Sequence, residues 1–144
     1  MKPKFIDYYM KIAEVTAGLS YAKRLQVGAV IVKDNQILAT GYNGMPSGWE
    51  NVCEIADDKG ILKTKPEVLH AETNAIAKVA QSTESSQGST LFCTHAPCIE
   101  CAKLIYQSGI QTLWYKEQYR DDAGVNFLKL SGVNVNRHSN SLHD

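Results

Sequence analysis

Two short clusters in the sequence hold residues able to do metal and proton chemistry. His70 and Glu72 stand two apart in "LHAETNAIAK", and Cys98 and Cys101 stand three apart in "APCIECAK". Two thiolates and one imidazole bind Zn²⁺ with a fourth position open for water, the donor set of a catalytic ion rather than a structural one. A carboxylate beside that water can move protons. Residues i and i+2 lie about 200° apart on a helix, so His70 and Glu72 converge only if their motif sits at a helix end. Taken singly, the parts have ordinary readings: a helix-end histidine, a carboxylate stabilised by the helix dipole, a C-x-x-C redox pair. A redox pair would not require the His-x-Glu, and the two motifs jointly favour the metal.

The surrounding pattern supplies the helix ends. Glu72, Ala75, Ile76 and Val79 fall at i, i+3, i+4 and i+7, which predicts a helix over about 69–81 with the glutamate on its apolar face. A buried carboxylate without a partner is costly, and its pKa rises. Cys98, Cys101, Ala102 and Ile105 repeat the spacing, so both thiols are expected on the inward face of a further helix, in its first turn, with Pro97 at the first helical position. Helix N-termini carry partial positive charge and free N–H donors, an environment that favours thiolates.

Around these helices the chain alternates. "YYMKIAEVTAGL" has helical spacing at Tyr9, Ile12, Thr16 and Leu19, with Gly18 marking its end. "QVGAVIVKDNQILATGYN" reads as two strands around a turn at Asp34-Asn35. A Gly/Pro/Asn-rich loop and a charged stretch lead to Pro66, with Trp49 as a candidate loop lid. "TLFCT" and "IQTLWY" are strands, the first with Cys93 as a small buried hydrophobe and the second carrying Trp114. "AGVNFLKLSG" is a short helix and "VNVN" a last strand. This order predicts an α/β fold, a central sheet with helices on both faces and some parallel strands, in a single domain over 1–137. Residues 138–144 read as a polar tail, with His138 and His143 solvated. His95 is expected to be a loop residue or a donor behind the ligands.

Bulk properties narrow the function. The 144 residues are 44% hydrophobic and 21% charged, with fifteen basic side chains balancing fifteen acidic ones. That balance argues against a nucleic-acid partner held by a broad basic face. No apolar run approaches membrane-spanning length, and the first residues do not read as a signal peptide, so a cytoplasmic protein is expected. Four cysteines in a reducing compartment point to metal or redox use rather than a disulfide framework. Cys53, in a polar loop, has no assigned partner.

His-x-Glu followed by Pro-Cys-x-x-Cys is the signature of the zinc deaminases, and here it is complete, as "HAE" at 70–72 and "PCIEC" at 97–101. The resemblance to the cytidine deaminase superfamily extends over nearly the whole chain. "QVGAVIVKDNQILATGYNGMPSGWEN", "HAETNAI", "PCIECAKLIYQSGI", "QYR" and "SGVNV" are similar to the corresponding segments of its deoxycytidylate (dCMP) deaminases, and "GYNGMPSG" is the discriminating piece. This resemblance implies a three-layer α/β/α sandwich with a mixed five-stranded sheet. It also implies hydrolysis of dCMP to dUMP and ammonia, which supplies dUMP for thymidylate synthesis. Members are commonly homohexamers, activated by dCTP with Mg²⁺ and inhibited by dTTP.

The resemblance also assigns residues. His70, Cys98 and Cys101 hold one catalytic Zn²⁺, and Glu72 is the proton shuttle. The backbone N–H groups of Ala71 and Cys98 face the substrate carbonyl, and Asn43 takes the deoxyribose hydroxyl. Arg24, Tyr119 and Arg120 are the phosphate candidates, since a guanidinium pairs with two phosphate oxygens at once. Asn43 and Gly44 are expected at an effector site. A second, structural zinc found in some relatives is not expected, because its additional cysteine and histidine positions are not matched here. Two other functions compete: a deaminase of another substrate (deoxycytidine, dCTP or adenosine in transfer RNA), and a zinc-stabilised nucleotide-binding module without activity. The inward Glu72 speaks against the module.

Overall fold

A computed structural model describes residues 1–139. In chain order its elements are α1 (Pro3–Ala17), β1 (Gly28–Lys33), β2 (Gln36–Tyr42), β3 (Glu54–Ala56), β4 (Leu62–Thr64), α2 (Ala71–Ala80), β5 (Thr90–His95), α3 (Ile99–Gln107), β6 (Thr112–Glu117), α4 (Ala123–Leu130) and β7 (Asn134–Arg137). Five strands form one mixed sheet in the order β2-β1-β5-β6-β7. β1 pairs antiparallel with both β2 and β5, whereas β5, β6 and β7 run parallel. Parallel neighbours need a covering crossover, and α3 and α4 supply the two.

The alternation of side chains along each strand sorts the core into two layers. Ala29, Ile31, Leu91, Cys93, Leu113 and Tyr115 face α2, α3 and α4, and Val30, Val32 and Phe92 pack with Tyr9, Met10 and Ala13 of α1. Trp114 joins the α1 layer. Helices therefore cover both faces, and β1 is buried from Gly28 through Val32, as its unbroken apolar run requires. Among the described residues no helix is long and apolar enough to cross a membrane.

Several expectations shift. The turn at Asp34-Asn35 forms with both residues at positive φ, 51° and 58°, the two-residue hairpin geometry that suits the strand twist. Leu19, counted in the apolar stripe of the first helix, lies beyond its end at Ala17 and is 60% exposed. Pro97 does not open α3: Cys98 is the N-cap and Ile99 the first helical residue, so the proline sits one position before the cap. The stretch expected as loop between residues 44 and 69 contains the β3–β4 hairpin, closed at its base by Gly44–Leu69 backbone bonds of 3.0 and 2.8 Å. His138 is not solvated. Its backbone N–H donates to the Tyr115 carbonyl at 2.7 Å, and its Nε2 lies 2.7 Å from Asp7 Oδ1, so it ties the end of β7 to α1. His143 lies outside the described residues.

The registers decide where loops meet. Gly28 pairs with Tyr42, Ala29 with Cys93 and His95 with Glu117. The start of β1 and the ends of β2, β5 and β6 therefore share one end of the sheet. Residues just before β1, just after β2 and at the openings of α2 and α3 are brought together there.

Candidate active site and metal centre

At that end, α2 and α3 bring their N-termini together. His70 is the N-cap of α2, in extended conformation (φ −82°, ψ 154°), with no capping bond from its side chain. The imidazole is thus free to lean over the terminus. Cys98 caps α3, its Sγ accepting from the Cys101 N–H at 3.5 Å. His70 Nδ1 lies 3.1 Å from Cys101 Sγ and 3.7 Å from Cys98 Sγ, and the three ligand atoms all lie within 4.8 Å of one another. Around a tetrahedral zinc, N···S edges are about 3.5 Å and S···S edges about 3.8 Å. The two observed N···S distances come within a few tenths of an ångström of the N···S edge.

The donor chemistry agrees. Hydrogen bonds from the Cys101 and His70 side chains pull the Cys98 thiol down to about 3, while the same contact with Cys98, together with burial, pushes the Cys101 thiol far up. The hydrogen bond to Cys98 raises His70. Two thiols this close share one proton because two adjacent thiolates repel, and a divalent cation removes that conflict.

Glu72, in the first turn of α2, is 5% exposed. Burial raises its carboxyl above the ordinary value, opposed by its own backbone N–H, His70 and Cys101. The i, i+2 pair converges because His70 lies outside the helix as its cap and Glu72 lies inside it.

A cavity of about 680 Å³ opens onto this cluster, with His70, Ala71, Glu72 and Cys98 in its wall. The loops before β1, after β2 and after β6 add Arg24, Asn43, Tyr119 and Arg120. Cys101 is buried behind the wall. Arg24 is exposed, with Nη1 3.2 Å from Thr64 Oγ1, and the Arg120 guanidinium lies 5.6 Å from the centre of the Tyr119 ring.

Asn43 does more than line the space. Its Oδ1 accepts from the Val27 N–H and its Nδ2 donates to the Leu25 carbonyl, both at 2.8 Å. The amide staples the segment before β1 and keeps one N–H and one lone pair for another partner. Gly44 is not in the cavity wall, and its backbone N–H and carbonyl are both taken by Leu69. Trp49 is likewise not a wall residue and is 56% exposed.

Sequence reasoning missed Glu54 as a wall residue and placed His95 in a loop or behind the ligands, whereas both stand in the wall. His95 ends β5, half-buried, with Nδ1 2.9 Å from Thr94 Oγ1, and burial lowers its pKa. Glu54, in β3, is buried and accepts from the backbone N–H groups of Lys23 and Arg24. The acidic residue of "NVCEIA" carries no periodic signal that distinguishes it from the charges that follow.

The fold is that of the cytidine deaminase-like class. The family model described as the cytidine and deoxycytidylate deaminase zinc-binding region matches residues 3–117. A crystal structure of dCMP deaminase from the cyanophage S-TIM5, in complex with dCMP and dUMP, superposes with a TM-score of 0.90 at 47% identity, covering 96% of this chain and 99% of that one. Deoxycytidylate deaminase of Saccharomyces cerevisiae is 33% identical over 96% of this chain and 46% of its own length. That of Enterobacteria phage T4 is 31% identical over 89% of this chain and 91% of its own. The chain thus spans about half the length of the yeast relative. It belongs to the cytidine and deoxycytidylate deaminase family.

Proposed function

We propose that the chain hydrolyses dCMP to dUMP and ammonia, with zinc held by His70, Cys98 and Cys101. One observation carries this: a single cavity joins the His/Cys/Cys cluster and the inward Glu72 to Arg24 and Arg120. That combination suits a cytosine ring at one end and a phosphate at the other. The S-TIM5 enzyme, 47% identical to this chain, is a dCMP deaminase in complex with dCMP and dUMP.

When bound, zinc supplies Lewis-acid activation of a water near neutral pH. Glu72 takes a proton from the attacking water and delivers it to ring N3, which makes C4 electrophilic. Once the C4–O bond has formed, Glu72 takes the second proton of that water from the new C4 hydroxyl and passes it to the amine as the C4–N bond breaks. The two water protons thus end on N3 and on ammonia. Ala71 opens α2, where N–H groups point out of the helix, and together with the Cys98 N–H it faces the ring carbonyl. Asn43 offers its remaining N–H and lone pair to the deoxyribose hydroxyl. Arg24 and Arg120 pair with the phosphate, and Tyr119 holds the Arg120 side chain.

The same family resemblance supports a cytoplasmic single domain over residues 1–137, assembled as a homohexamer and supplying dUMP for thymidylate synthesis. It also supports activation by dCTP with Mg²⁺ and inhibition by dTTP, with Asn43 and Gly44 at the effector site. For Gly44, whose N–H is taken by Leu69, this contact would use the second lone pair of its carbonyl.

Turnover of dCMP, deoxycytidine and dCTP by zinc-loaded protein tests the reading. Turnover of dCMP far above the other two is expected. Equal turnover of deoxycytidine removes the phosphate from the account, and no turnover with zinc fully bound leaves a nucleotide-binding module.

A further inference from the structure

Among the described residues two carboxylates are buried: Glu72, at 5% exposure, and Glu54, at 8%. A carboxylate taken from water is tolerated where it is hydrogen-bonded, and such bonds are strong because the acceptor is charged. Glu54 makes two of them through one oxygen: Oε2 accepts from the Lys23 N–H at 2.8 Å and from the Arg24 N–H at 3.0 Å. These donors lie in the stretch 18–27 between α1 and β1, which has no regular structure. The same hairpin grips the segment a second time, since Thr64 Oγ1 of β4 accepts from Arg24 Nη1 at 3.2 Å. Both Glu54 and Thr64 stand in the wall of the cavity that holds the metal cluster.

A carboxylate in the wall of a phosphate site is unfavourable by charge alone. Its placement makes sense if its purpose is the backbone it binds. Arg24 is an exposed side chain on an irregular loop, and ordering such a side chain on a ligand costs rotamer and loop entropy. Fixing its backbone beforehand lowers that cost.

We propose that Glu54 is a positioning residue that holds Arg24 at the cavity and so sets affinity for the 5′-phosphate of the substrate. This rests on the reading of the cavity as a deoxynucleoside monophosphate site. The phosphate contact is taken as one held equally in ground state and transition state, and such uniform binding appears in KM rather than kcat.

Steady-state kinetics of the zinc-loaded protein with dCMP test it, with zinc content and melting temperature checked for each variant. Glu54→Ala is expected to raise KM about tenfold, the scale of one immobilised side chain, with kcat within about threefold and dUMP inhibition weakened in parallel. Arg24→Ala raises KM at least as much, and the double variant is no worse than Arg24→Ala, because the two changes remove one interaction. Glu54→Gln, whose side-chain carbonyl can still accept both N–H groups, returns KM to within about threefold of the wild type. If Glu54→Ala fails to fold, Glu54→Asp, one methylene short of the two donors, provides the same KM test.

A loss in kcat equal to that in KM, multiplicative effects in the double variant, or a KM improved by Glu54→Gln overturns the proposal. A wild type that prefers dCMP to deoxycytidine, combined with an unchanged KM in Glu54→Ala, overturns the positioning role alone. A wild type without that preference overturns the monophosphate site on which it rests.

Discussion

Gly124→Ala sets two physical effects against each other at the metal centre. Gly124 lies in the first turn of α4, where alanine is the better helix former by about 0.5–1 kcal/mol. Propensity alone therefore makes the variant more stable. A Cβ at this position, however, would lie 2.2 Å from the Pro97 carbonyl oxygen and 2.9 Å from both the carbonyl carbon and oxygen of Cys98. All three are backbone atoms, and ordinary contact begins at 3.4 Å, so α4 and the Pro97–Cys98 segment must separate by about 1 Å. Overpacking of this kind costs about 1–3 kcal/mol, which outweighs the gain in propensity. A net loss of about 1–2 kcal/mol corresponds to a fall in Tm of roughly 3–6 °C. Cys98 moves with the displaced segment, and a misplacement of about 1 Å at a reacting centre costs on the order of 10²-fold in rate. Thermal melting, zinc competition against a chelator and dCMP turnover read the three consequences. Expected are a lower Tm, weaker zinc binding and a 10- to 100-fold loss of turnover, all estimates on that scale. A variant as stable and active as the wild type would refute the claim that this contact sets the position of Cys98.

Three further perturbations test other parts of the site and fold. In metal-free protein, burial raises the Glu72 carboxyl above its unfolded value of about 4.3, so its stability contribution is full below that pH and is lost as pH rises through the folded pKa. Metal-free Glu72→Gln should therefore melt higher than metal-free wild type at pH 8, with the gap narrowing toward pH 5; a gap that widens on acidification contradicts the burial argument. Cys98, drawn down to about 3 and only half-buried, is expected to be the first cysteine alkylated by iodoacetamide in metal-free protein, at a rate nearly flat from pH 6 to 8. Cys53, Cys93 and Cys101 are buried, zinc should protect Cys98, and peptide mapping showing Cys101 modified first would reverse the assignment of the thiolate. His138→Ala removes the link between α1 and the end of β7 and should cost about 1 kcal/mol in denaturant unfolding. Its dCMP kcat should stay within about twofold of the wild type, and a large fall in kcat would mean that the β7 edge of the sheet is coupled to the site.

The features legible in the sequence are those governed by short-range period. The apolar run of β1, the turn at Asp34-Asn35 and the inward stripe of α2 each follow from neighbours within a few residues. So does the placing of His70 and Cys98 at helix ends, which is why the metal cluster was readable. What was not legible depends on distant partners or on exposed backbone. The β3–β4 hairpin has little apolar alternation to announce it, because Ile55, Ile61 and Leu62 are all exposed. Asp7 and His138 are 131 residues apart, and nothing local marks either as half of a pair. Asn43 was legible as a cavity residue but not as a staple, since the two backbone groups it binds become its neighbours only once β1 and β2 pair. Gly124 reads as an ordinary weak spot in a helix until the carbonyls packed against it are seen.

Titration of zinc into metal-free protein, with dUMP formation from dCMP followed at each addition, tests the central claim most directly. Wild-type turnover should rise in proportion to zinc and level off at one ion per chain. Glu72→Gln should bind the same single ion and remain inactive. Full turnover without zinc, a plateau at another stoichiometry, or an active Glu72→Gln would contradict the assignment of His70, Cys98, Cys101 and Glu72 to one hydrolytic centre.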